Sequence, residues 1–191
     1  ETAYSTSESA TTDSAGSGPP VSNITTNEGD YANSEVPTYN KFEITFDVNS
    51  NADNYQLPYD DNPPSGLTAE TGISVNVEFT PDDWTTVYTQ PAFYYQDFDF
   101  ETRGSDDWVY PTNDYSWKTR FAPNQTGSWK YRIIAEDASG IYQTTESSFT
   151  VVDSGDPGFL KVADDDPRYF EFDNGDMFYG TGYNLRCKVL D

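Results

Sequence analysis

The 191-residue chain contains no histidine and a single cysteine. Without histidine it lacks the commonest general base and the commonest zinc ligand. One cysteine, Cys187, permits no intrachain disulfide, so no covalent staple holds the fold. Nor does Cys187, Ser147 or Ser148 have a histidine to activate it, and no nucleophile–base motif is present. The chain is therefore expected not to be an enzyme by itself. Basic residues are scarce too: 10 Lys+Arg stand against 33 Asp+Glu, a formal charge of -23. Such a field repels phosphate backbones and anionic membranes, which argues against nucleic-acid partners. No apolar run is long enough to span a membrane. No signal-peptide pattern is visible, as expected of a mature secreted chain from which a leader has been removed. An extracellular or cell-surface location is expected.

Aromatic residues are abundant, at 16% of the chain, with 15 Tyr, 12 Phe and 4 Trp. Aromatic side chains suit a pleated, half-buried surface, so this composition points to β structure. Residues 1–38 are rich in Ser, Thr, Ala and Gly and read as a low-complexity tail or linker. An alternative use for such a segment is an arm that orders against a neighbouring copy.

From Tyr39 the pattern changes. Phe42, Ile44, Phe46 and Val48 alternate with polar residues, the period of a half-buried strand. Ile73 to Phe79 repeats the alternation. Thr86 to Glu101 reads as two strands bent at Pro91, and 106–114 reads as a loop. Tyr115–Phe121, Trp129–Ile133 and Tyr142–Val152 alternate again, separated by short turns such as Asp137-Ala-Ser-Gly140. Pro123 and Gly127 bound a tight connection. It places Trp117, Phe121, Trp129 and Tyr131 on inward-facing positions. The expected fold is all-β: an immunoglobulin-like antiparallel β-sandwich over residues 39–153. Residues 154–191 read as a separate coda. It holds a short strand at 159–162, then a hairpin turning at Asn174-Gly175, the pair favoured by type I′ turns.

Several segments resemble a known module. They are the opening strand Tyr39-Asn-Lys-Phe-Glu-Ile-Thr-Phe, the unit Trp117-Lys-Thr-Arg-Phe-Ala-Pro123 with Gly127-Ser-Trp-Lys-Tyr131, and the closing Ser148-Phe-Thr-Val. The last is Gly158-Phe-Leu-Lys-Val through Arg168-Tyr-Phe-Glu-Phe and Asn174-Gly-Asp-Met-Phe-Tyr-Gly to Tyr183-Asn184. Together they resemble DUF5060, the N-terminal β-sandwich module that precedes the catalytic barrel in several bacterial glycoside hydrolases. The resemblance implies an accessory, non-catalytic role: bracing the barrel or positioning polysaccharide. It also implies that the segment around Tyr183-Asn184 leads into the first barrel strand. The partners it implies are a polysaccharide or the catalytic barrel of the parent enzyme. Two other roles fit the sequence. One is a structural subunit of an extracellular filament or surface layer, self-associating through the N-terminal arm. The other is a carbohydrate-binding module.

Four sets of candidate site residues follow. Asp47, Asn49, Asn51 and Asp53 place oxygen ligands at alternate positions, and Asp60 and Asp61 add two more, a pattern suited to calcium. The same residues also serve ordinary turn geometry. A second acidic cluster, Asp164-Asp-Asp166, is contiguous and less suited to wrapping an ion. Trp84, Tyr94, Trp108 and Tyr110 are candidates for stacking on sugar rings. Asn23 and Asn124 head N-glycosylation sequons, with Asn124 expected on an exposed turn.

Overall fold

A computed structural model describes residues 16–68, 71–180 and 182. The part of the expected tail before residue 16, Cys187 and the Tyr183-Asn184 segment lie outside the described residues. No helix among the described residues is long and apolar enough to cross a membrane.

Two sheets face each other. The first has the order β1-β3-β7-β6: Val21–Thr26, Phe42–Val48, Asp106–Phe121 and Phe93–Arg103. The second runs β2-β10-β8-β4-β5: Glu35–Pro37, Ser147–Val152, Gly127–Asp137, Ser74–Thr80 and Tyr88–Pro91. Strand β9, Gly140–Gln143, pairs with the far end of β8. All sandwich pairs are antiparallel except β2 with β10. This is an immunoglobulin-like sandwich, in which the N-terminal segment gives β1 to one sheet and β2 to the other.

The alternation read in the sequence becomes the core. Phe42, Ile44, Phe46 and Val48 are buried from one sheet, and Val75, Val77, Phe79, Trp129, Tyr131 and Ile133 from the other. Phe42 stacks on Phe149 at 3.9 Å and Phe79 on Phe121 at 4.3 Å between ring centres. Trp117 is buried as expected, and Phe121 is half-buried against the core. Burial pushes the Tyr131 phenol up to about 12.

Four local readings need correction. First, the expected tail does not extend to residue 38. Its latter part supplies β1, which pairs with β3, and β2, which pairs with β10. Gly16 and Gly18 lie so close to the backbone of Gly140–Tyr142 that a Cβ on either would clash. Second, residues 106–114 are not a loop. They form the first half of β7, a 16-residue strand paired with the 11-residue β6. A two-residue turn, Gly104-Ser105, joins them, with Gly104 at φ +67, as type II′ hairpins require. Third, the stretch expected to be continuous from Tyr142 to Val152 breaks at Thr144. The buried Thr144 accepts the Ile133 N–H on its hydroxyl at 2.9 Å and donates its own N–H to the Ile133 carbonyl at 3.0 Å.

The fourth correction concerns the coda. Strands β11 (Leu160–Val162), β12 (Phe170–Phe172) and β13 (Met177–Phe178) form a three-stranded antiparallel sheet. Its second turn is not type I′. Only Gly175 has positive φ, at +88, and its N–H reaches the Phe172 carbonyl at 2.9 Å. That is a type I turn closed by a glycine bulge.

Candidate functional site

The four aromatic candidates for sugar stacking fall in three places. Trp84 sits on the turn between β4 and β5. The buried hydroxyl of Thr80 accepts the Trp84 N–H at 2.9 Å, and Asp83 and Trp84 both have positive φ, +56 and +70. Hydrogen bonds from the Thr86 N–H and hydroxyl hold the Asp82 carboxyl below its usual range. The indole N–H donates to Glu146 at 2.6 Å, and the Arg132 guanidinium lies 4.1 Å from the ring centre. Lys130 bridges Asp83 and Glu146 beneath it. Trp84 is thus held in a polar clamp with one ring face against an arginine.

Trp108 and Tyr110 lie together on the ribbon made by β6 and the first half of β7. Their ring planes are 8° apart and their centres 6.3 Å apart. Arg103 approaches both, at 5.4 and 5.5 Å. The opposite ribbon face carries Phe98, Phe100, Val109 and Pro111, by the pairings Phe98–Pro111 and Phe100–Val109. Phe100 is 67% exposed. A register irregularity between Gln96 and Phe98, with Asn113 at φ +65, marks where the ribbon leaves the sandwich.

Tyr94 lies at the ribbon's base. It stacks on Tyr115 at 5.4 Å, meets Tyr55 edge-on at 5.1 Å, and leans on Trp117 at 5.4 Å. Burial, then the neighbouring Tyr55 and Tyr115, raise its phenol pKa. Beside it opens a cleft of about 490 Å³ between the loop following β3 and the β5–β6 bend, with Tyr55, Gln56, Ser74, Asn76, Tyr94 and Trp117 among its walls. The Trp117 side chain is almost wholly buried, and its indole nitrogen has no hydrogen-bond partner among the described residues. A second concavity of about 330 Å³ shares Tyr55, Gln56 and Tyr94 and adds Asp53 and Asn54. Sequence reading missed Tyr55 and Gln56. They sit in a polar loop whose Asp and Asn pattern points to a cation instead.

The acidic series is spread out. Asp47 accepts from the Asn23 amide at 2.7 Å, and Asp60 caps the N–H of Asn62 at 2.9 Å. Asn49, Asn51, Asp53 and Asp61 are exposed. Among the described residues no three His, Cys, Asp or Glu side chains are gathered as a metal site. Asp164 and Asp166 are instead paired with Lys161 and Arg168, at 2.7 and 2.6 Å. Of the two sequon asparagines, Asn23 is exposed on β1. Asn124 is half-buried with its amide oxygen enclosed, rather than on an open turn. It lines a separate cleft of about 480 Å³ that includes Tyr39, Arg120 and Phe159.

A different kind of surface lies on the terminal sheet. Its register places Leu160, Val162, Phe170, Phe172 and Phe178 on one face. Leu160, Val162 and Phe170 are 46%, 51% and 49% exposed. Lys161, Glu171 and Met177 occupy the other face. A sheet this small, with an apolar side left about half exposed among the described residues, is normally completed by a further layer.

No family model matches the chain. No curated protein matches it either. Among solved structures, a chain from Bacteroides vulgatus described as a "putative glycoside hydrolase" is 17% identical, with a TM-score of 0.43. The alignment covers 76% of this chain and 21% of that one, so this chain spans about a fifth of that structure's length. A likeness of that size bears on neither activity nor substrate.

Proposed function

We propose that this chain is a non-catalytic, extracellular accessory module of a carbohydrate-active protein, which braces a neighbouring domain through its terminal sheet. One observation carries the reading: the apolar face formed by Leu160, Val162, Phe170, Phe172 and Phe178 has three members about half exposed. Covering such a face removes apolar area from water at roughly 25 cal/mol per Å². The neighbour that suits it is the barrel implied by the sequence resemblance to the N-terminal modules of glycoside hydrolases. In that role the sandwich supplies a rigid body, and β11–β13 supplies the joint.

The test begins with the gene. The reading predicts that the reading frame continues past Asp191 into a catalytic domain. In that longer protein, Val162→Ser with Phe170→Ser should lower the melting temperature of the catalytic domain. The same pair should leave the melting of the sandwich nearly unchanged. A reading frame that stops near Asp191 would sink the proposal, as would a catalytic domain indifferent to both substitutions.

A further inference from the structure

We infer that the cleft bounded by Tyr55, Tyr94 and Trp117 binds a neutral saccharide. Its volume, about 490 Å³, falls in the range of small-ligand sites. Its walls combine the two kinds of surface that a pyranose ring requires. The aromatic rings of Tyr55 and Tyr94, set edge to face at 5.1 Å, present apolar area for the C–H faces of a sugar. Gln56, Ser74 and Asn76 present amide and hydroxyl groups for its hydroxyls.

The indole of Trp117 completes the wall of this cleft. The adjoining concavity extends the surface past Gln56 to Asp53 and Asn54, giving room for a second sugar unit. The ligand class follows from charge. No lysine or arginine lines either concavity, and the chain carries -23 overall. Uronate-rich or sulfated polymers would meet repulsion with no local cation to offset it.

This site goes beyond the bracing role, because it belongs to the 191-residue chain alone and does not need the terminal sheet. The experiment is affinity electrophoresis of that chain through gels containing a neutral β-glucan, a xylan or a mannan, with polygalacturonate and alginate as acidic probes. At least one neutral polymer should retard the protein, and the acidic ones should not. Tyr94→Ala and Gln56→Ala should each weaken retardation about tenfold or more, while Trp108→Ala on the ribbon leaves it unchanged. Gln56 is an exposed loop residue, so its variant tests the site even if Tyr94→Ala unfolds. No retardation by any neutral polymer overturns the inference. So does retardation by acidic polymers only, or retardation lost in Trp108→Ala and kept in Gln56→Ala.

Discussion

The two halves of β7 have similar aromatic content and opposite surroundings. From Asp106 to Tyr110 the strand carries Trp108, Val109 and Tyr110, which are 46%, 56% and 42% exposed. From Tyr115 to Phe121 it carries Trp117 and Thr119, both buried, and Phe121 against the core. The backbone is extended throughout and the pairing partner is the same strand, β6, over most of the length. What differs is the company. The second half of β7 also pairs with β3, from Trp117 to Phe121, and its inward side chains are enclosed in the core. The first half pairs with β6 alone among the described strands and depends on contacts across that ribbon. Aromatic content selects for strand; it does not select for burial.

Substitutions can break or sharpen this contrast. The largest effect is expected in the enclosed region. Trp129→Ala should cost about 3–5 kcal/mol, read by urea denaturation, because Trp129 is fully buried. A smaller loss, about 1–3 kcal/mol, is expected for Thr144→Val, which leaves the Ile133 N–H without the hydroxyl it donates to. Next comes acid sensitivity. Burial acts to raise the Asp137 pKa, but hydrogen bonds from Ser139 and Ser50 together outweigh it and hold the carboxyl below its ordinary 3.8. A depressed carboxylate stabilises the fold above the unfolded pKa, and that stability is lost as pH falls through the folded one. Melting temperatures followed below pH 4 should therefore drop less steeply in Asp137→Asn than in the native chain. The smallest effect belongs to the ribbon: Phe100→Ala should change stability by no more than about 0.5 kcal/mol. A loss there rivalling Trp129→Ala would mean that the ribbon folds onto a surface of its own chain, and the contrast between the halves would fail.

The same physics explains which elements were legible. Strands β3, β4 and β8 announce themselves because each buries one face, and period-two alternation follows from that. Strands β1 and β2 do not. Each contributes one buried apolar side chain, Val21 and Val36, inside runs of Ser, Thr and Asn that resemble a linker. Their place is secured by backbone pairing at the sheet margins, which leaves almost no mark on side-chain choice. Residues 106–114 resemble a loop because Pro111, Asn113 and several acids interrupt the pattern. An exposed ribbon tolerates all of them.

Local chemistry in the sequence was enough to determine an all-β sandwich, the inward set from Phe42 to Val48, and the turns at Pro123–Gly127 and Asp137–Gly140. These depend on neighbours a few residues apart. The convergence of Tyr55, Tyr94 and Trp117 was decided only by the tertiary structure, as was the separation of Trp84 from Trp108. Those residues come from distant parts of the chain. Their meeting depends on which strands pair, in which register, and where the ribbon leaves the sandwich.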